Sequence, residues 1–370
     1  MKKRYLLLLF LIFITGCINN FENLNVNDEV NIVKEENALD NYPIILVHGH
    51  AVSIGEAANL LKEYNSRGTF SRFKTFQEKL HYDGMYEDKD IILPNQDQNI
   101  VCPFSWNKKI SVRTTYYVDE NWNFDDKRSI KDYAERLGNV VEIVKKCTNS
   151  DKVNLIGHSM GGLVIREYTK NNENNVNKVI TIGTPNKGLP KNYFWGSGSF
   201  CDEFRYENDL ECSEMLMNSN FLNELNTKKI NNLYTISGVL GKNKSFIGIT
   251  SCLDHGYCND GVICMSSGKL ENAYNYVAYS DETSSFIETV GHGIHGDLIN
   301  PNTNVGNKVY DIIKNILMNN IIEENYDYFN NLCSITRPEA SYDVNFDYSA
   351  FSQNSKKFIE NLFEKAKINY

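Results

Sequence analysis

The stretch VNLIGHSMGGLVIREY, residues 153–168, decides the fold. Lys152 to Ile156 reads as a short, largely apolar strand. From Gly162 onward, Leu163, Val164, Glu167 and Tyr168 are spaced for one face of a helix. Between the two lies no loop, only Gly157-His158-Ser159-Met160-Gly161, a turn centred on a serine and flanked by glycines. A serine hydroxyl is a poor nucleophile at neutral pH and needs an adjacent base. A strand–turn–helix elbow strains the serine's backbone and lifts its oxygen clear of the sheet. The glycines two before and two after leave room where neighbouring elements pass too close for a Cβ. The pattern therefore predicts Ser159 as a nucleophile.

The surrounding chain has the matching rhythm. Pro43-Ile44-Ile45-Leu46-Val47 is a continuous apolar run and reads as a buried strand. VRTTYYV at 112–118 is β-branched and aromatic and reads as another. Ile130, Tyr133, Leu137, Val140, Val141 and Val144 recur at helical spacing, and strands are expected at 178–182 and 233–237. Alternation of this kind argues a mostly parallel sheet with helices on both faces. Two long excursions, at about 66–110 and 186–232, read as insertions or a lid. The second carries Phe194, Trp195 and Phe200, which suit the apolar inner face of a lid. Residues 41–300 form the expected catalytic domain, and residues 301–370 a C-terminal helical segment.

The N-terminus reads differently. MKKRYLLLLFLIFITGC has three early cations and an apolar core too short for a stable span, which is an export signal. Its small residue before Cys17 resembles a bacterial lipoprotein cleavage site, which implies cleavage after Gly16 and lipidation of Cys17. Residues 17–40 would then be a polar tether, with the protein membrane-anchored on the extracytoplasmic side. Removing the three cations of residues 1–16 takes the formal charge from −9 to −12. An acidic chain without a basic run is a poor partner for nucleic acid. The eight cysteines after Cys17 permit disulfides in an exported chain, but their connectivity stays open. Cys201 with Cys212, and Cys252 with Cys258, are close enough to clip local loops. No paired CxxC spacing suggests zinc.

The other catalytic candidates follow from position. Val47-His48-Gly49-His50 ends the first buried strand, where such folds place one oxyanion-hole amide; His50, or Ala51 beside it, would supply that donor. Met160, at the N-terminus of the helix, would supply the other. In the Ser, Asp, His order, Asp260 in Asn259-Asp260-Gly261 is the expected acid, with Asp254 and Asp281 as rivals. For the base, GHGIHGDL at 291–298 offers His295, with His292 as the alternative.

Taken together, HGH after a strand, GHSMGG, Gly183-Thr184-Pro185-Asn186-Lys187-Gly188 and Asn-Asp-Gly-Val-Ile resemble bacterial α/β-hydrolase lipases of the triacylglycerol lipase type. The resemblance covers about residues 42–300. It implies a carboxylic ester hydrolase acting on acyl lipid esters, with Ser159 as nucleophile, Asp260 as acid and His295 as base. His50 departs from the family's usual apolar residue after His-Gly, and Asn186 from its frequent His. Some of these lipases hold calcium near the catalytic histidine. Asp297 stands where one ligand would be, without a convincing second carboxylate. Phospholipids and polyhydroxyalkanoates are alternative ester substrates, and a non-catalytic lipid-binding lipoprotein is the alternative of another class.

Overall fold

The computed structural model describes residues 32–33, 41–50, 71–118, 125, 128–189, 210–240, 258–280 and 294–335. Nine strands are assigned within them. They are β1 (Ile32–Val33), β2 (Ile44–Val47), β3 (Glu87–Asp88), β4 (Ile110–Thr114), β5 (Val153–His158), β6 (Val176–Ile182), β7 (Leu233–Leu240), β8 (Tyr274–Ser280) and β9 (Ile321–Ile322). The helices are α1 (Lys74–Tyr82), α2 (Gln98–Val101), α3 (Ile130–Thr148), α4 (Met160–Asn172), α5 (Leu210–Glu214), α6 (Asn220–Asn226), α7 (Met265–Gly268), α8 (Asn304–Leu317) and α9 (Tyr326–Ile335). Among the described residues no helix is long and apolar enough to cross a membrane.

Seven strands form one sheet in the order β3-β4-β2-β5-β6-β7-β8, and every neighbouring pair is parallel. This is the doubly wound sheet expected from the alternation, with helices on both faces: the α/β-hydrolase fold. Parity along each strand decides which face a side chain joins. Ile45, Val47, Val112, Leu155 and Val179 face one apolar cluster with Tyr133, Leu137, Val141 and Val144 of α3 and Leu163 and Val164 of α4. Ile44, Leu46, Ile156, Ile180 and Ile236 face the other, under Phe76 and Leu80 of α1 and Val309, Ile312, Ile313 and Ile316 of α8. Both faces are covered, so strands such as β2 are apolar throughout rather than alternating.

The α3 helix begins at a full capping box. Asp132 N–H donates to Ser129 Oγ, and Ser129 N–H donates to Asp132 Oδ2. The β7 strand runs three residues beyond its expected end, and β8 is a strand that periodicity does not reveal. In YNYVAYS, aromatic and polar residues mask the apolar count, yet all but Tyr274 and Tyr279 are buried. Ile32–Val33, inside the segment read as a tether, pairs antiparallel with Ile321–Ile322. The first helix of the C-terminal segment, α8, packs into the same apolar cluster as the sheet.

Five cysteines have described side chains, and all five are disulfide-bonded. Cys102 is joined to Cys147, which ties the 66–110 insertion to the end of α3. Trp106 N–H donates to the Cys147 carbonyl at 2.8 Å beside it. Cys17, Ala51, Phe194, Trp195, Phe200, Asp254, Asp281 and His292 lie outside the described residues.

Candidate active site

Parallel strands put all their C-terminal ends at one edge of the sheet, and each candidate follows such an end. His48–His50 follow β2, Ser159 follows β5, Gly183 follows β6, Asp260 comes after β7 and His295 after β8. Because β2 and β5 are neighbours in the sheet, the first of these segments meets the serine. A Cβ on Gly49 would stand 2.7 Å from Ser159 Cβ.

Ser159 has φ 55° and ψ −129°, a backbone region that a residue with a side chain occupies only when held there. Its N–H donates to the Ile182 carbonyl at 2.8 Å, and its own carbonyl accepts from Gly162 N–H at 3.0 Å. The turn is possible because α4 passes over the end of β2. A Cβ on Gly161 would lie 2.2 Å from the His48 carbonyl oxygen and 2.6 Å from that of Val47. Backbone atoms cannot yield as a side chain can, so Gly161→Ala is expected to cost about 3 kcal/mol. Thermal unfolding reads this as a Tm lower by roughly 6–12 °C; an unchanged Tm would contradict the close approach.

Asp260 is fully buried. Its Oδ1 accepts from the N–H groups of Val262 at 2.9 Å and Ile263 at 2.7 Å. Its Oδ2 accepts from His295 Nδ1–H at 2.7 Å. The Asp-Gly turn thus orients the carboxylate with two main-chain donors and leaves one oxygen for the imidazole. Ile294 N–H, donating to the Asp260 carbonyl at 2.9 Å, brings the histidine segment alongside. Gly183 stands against this pair with φ +52°; a Cβ there would be 3.1 Å from Asp260 Oδ2 and 3.2 Å from His295 Cε1. The Gly-Thr-Pro segment therefore needs its glycine for both conformation and space. Among the described residues the Ser159 hydroxyl makes no hydrogen bond to His295, and such contacts are often long before substrate binds.

Two histidines that sequence reasoning gave no role surround the serine. His158, buried, donates from Nε2 to the His295 carbonyl at 2.9 Å, and the two rings stand 4.6 Å apart. Burial, followed by the charges of His295 and Arg72, lowers its pKa well below 6.5. His48 Nδ1 contacts the Gly49 carbonyl at 2.6 Å, so that nitrogen carries the proton, and Nε2 accepts from Thr115 Oγ1 at 2.9 Å. Its ring stacks on Tyr116 at 4.4 Å, and the Tyr116 hydroxyl donates to the His48 carbonyl at 3.0 Å. Burial pushes the His48 pKa down to about 4, with the Gly49 hydrogen bond opposing and the Arg72 and His50 charges assisting.

A histidine with a lowered pKa in the fold binds its proton more tightly when unfolded, so stability is lost as pH falls from about 6.5 towards 4. His48 alone is expected to remove about 2 kcal/mol between pH 7.5 and pH 5. Urea unfolding of the parent and of His48→Asn at both pH values measures this. Equal losses in the two proteins would exclude His48 as the source.

Asn186 turns inward rather than towards the site edge. Its Oδ1 accepts from Arg166 Nη1 at 3.0 Å, and its Nδ2 donates to the Gly268 carbonyl at 2.7 Å. It braces α4 against α7. Asp297 opens a 3₁₀ turn directly after the His295 segment. Among the described residues no three His, Cys, Asp or Glu side chains converge to hold a metal ion. His50 lies beside Gly49, and its side chain reaches Glu211 of α5.

A family model described as palmitoyl protein thioesterase matches residues 101–207, a stretch that holds Ser159 but neither Asp260 nor His295. Among solved structures, the chain is similar to the mature form of the Bacillus licheniformis lipase BlEst2, at 16% identity over 78% of this chain and 95% of that one, with a TM-score of 0.44. It is similar to the phospholipase PlaB from Legionella pneumophila at 15% identity, over 80% of this chain and 63% of that one, with a TM-score of 0.43. A lipase-esterase related protein from Clostridium acetobutylicum is similar at 15% identity, over 77% and 97% of the two chains, with a TM-score of 0.37. No curated protein matches the chain. The lipase/esterase-type α/β-hydrolase resemblance read from the motifs agrees with the strand order and with the family match.

Proposed function

We propose that this α/β-hydrolase is a serine carboxylic ester hydrolase of acyl lipid esters. The observation that carries the reading is the buried Asp260–His295 contact of 2.7 Å, at the same sheet edge as the strained Ser159. His295 Nε2 takes the Ser159 proton as the oxygen attacks the ester carbonyl. The main-chain N–H groups of Met160 and His50 hold the oxyanion that forms. The first opens α4, where first-turn amides have no intrahelical acceptor. The second belongs to the Gly49–His50 peptide, whose carbonyl is already held by His48 on the opposite side. Collapse expels the alcohol, protonated by His295, and leaves an acyl-serine. Water, activated by the same imidazole, releases the acid.

The family match favours a second reading with the same machinery, in which the acyl group arrives as a thioester and a thiol leaves in place of an alcohol. Anchoring through a lipidated Cys17 on the extracytoplasmic side belongs to this proposal. It is supported by the five disulfide-bonded cysteines, since such bonds persist in oxidising compartments. The test is to treat the 18–370 fragment with a fluorophosphonate, map the adduct, and assay p-nitrophenyl esters from C2 to C16 beside a matched acyl thioester. Modification at Ser159 with hydrolysis of long esters is expected. A kcat/KM higher for the thioester than for its oxygen ester selects the second reading. No adduct and no hydrolysis of either class would end both.

A further inference from the structure

His50 is the residue at which the chain departs from an apolar side chain, and its imidazole is not idle. His50 Nε2 lies 2.6 Å from Glu211 Oε1, both side chains almost wholly buried. Glu211 comes from α5, a five-residue helix in the insertion between β6 and β7. Burying a carboxylate is costly unless it is partnered, and here its oxygen accepts from His50 and from the Tyr117 hydroxyl at 3.3 Å. Burial first, and the Glu211 charge second, push the Tyr116 and Tyr133 phenols to higher pKa. This tyrosine cluster also holds His48: Tyr116 and Tyr117 pack on its ring, and Tyr133 packs on both of them.

One turn along α5, Glu214 Oε2 accepts from Ile130 N–H at 2.6 Å, at the start of α3. Residues at i and i+3 share a helix face, so α5 is seated on the body of the enzyme through two carboxylates, one on α3 and one on His50. Cys212, between them, is disulfide-bonded and buried. Helix α5 is therefore docked through a desolvated contact, and the group it grips is His50, next to the Gly49 that abuts Ser159.

We propose that Glu211 is a positioning residue. By gripping the His50 imidazole from α5, it fixes the Gly49–His50 peptide so that its N–H stays aimed at the oxyanion, and the oxyanion hole is complete only when α5 is seated. His48 holds the carbonyl end of this peptide, and Glu211 holds the side chain at its other end. The inference rests on the assignment of the His50 amide to ester hydrolysis given above.

Contacts to the oxyanion that are made only in the transition state affect kcat rather than KM. Glu211→Ala is therefore expected to lower kcat, counted per fluorophosphonate-titrated site, by about 10- to 100-fold, with KM within about threefold. Glu211→Gln keeps an oxygen that accepts from Nε2–H and should return kcat to within about threefold of the parent. Titrating sites removes unfolded protein from the comparison. Should Glu211→Ala fail to fold, His50→Leu breaks the pair from the other side and must lose kcat by a similar factor. The proposal is overturned if Glu211→Ala keeps kcat within about twofold, if KM rises by the factor that kcat falls, if Glu211→Gln is as slow as Glu211→Ala, or if His50→Leu keeps the parent's kcat. Failure of the underlying reading looks different, because then the parent itself neither reacts with the fluorophosphonate nor hydrolyses esters, and the inference falls with it.

Discussion

Replacing Ser159 by alanine is expected to lower kcat for ester hydrolysis by about 10⁶, the scale on which nucleophile removal acts in triad enzymes. The chain should lose little stability. Alanine can occupy the same backbone as serine, and the elbow at φ 55° is held by main-chain bonds to Ile182 and Gly162 that the substitution leaves in place. What disappears is the atom proposed to carry the acyl group. The amides of His50 and Met160 survive, so a residual rate of about 10³–10⁴ over water is expected if the variant still binds ester. Steady-state hydrolysis of the best p-nitrophenyl ester, with thermal unfolding run in parallel, measures both quantities. A variant as fast as the parent would show that the acyl group is carried by another residue, and the role of the strained turn would have to be found elsewhere.

Asp260→Asn is expected to lower kcat by about 10⁴ with KM nearly unchanged. The reason lies in what surrounds the carboxylate. Its Oδ1 is claimed by the N–H groups of Val262 and Ile263, and only Oδ2 faces His295 Nδ1. An asparagine in this pocket keeps its carbonyl oxygen on the two main-chain donors and turns its amino group to the imidazole. His295 must then accept at Nδ1 and carry its proton on Nε2, where it cannot take the proton of Ser159. Volume and fold are retained, so the loss measures the tautomer rather than the packing. A decrease of less than about tenfold would show that His295 does not depend on Asp260 for its orientation.

The elbow was legible in the sequence because it is local. A strand, a turn and a helix within sixteen consecutive residues leave their periods side by side, and the turn's glycines mark where backbones pass closely. Asp260 and His295 were legible by order and turn chemistry, and the two are found in hydrogen-bond contact across 35 positions of sequence. Helix α3 appeared at its expected place because its apolar positions recur at helical spacing over five turns. Strand β8 did not, because YNYVAYS is buried by its neighbours rather than marked by its composition.

The sequence by itself determined the strand–turn–helix around Ser159, the alternation that makes a parallel sheet, and the acids and bases that are candidates to serve that serine. These depend on short-range backbone geometry, which neighbouring residues dictate. Only the tertiary structure decided that His48 would hold the Gly49 carbonyl, that His158 would donate to the His295 carbonyl, and that Glu211 would reach His50 across 161 positions. The joining of Cys102 to Cys147 belongs with these. Each such pairing depends on which strand ends the sheet order brings to one edge and on where an insertion comes to rest. No local period records that, because the free energy that settles it comes from burying distant surfaces against one another.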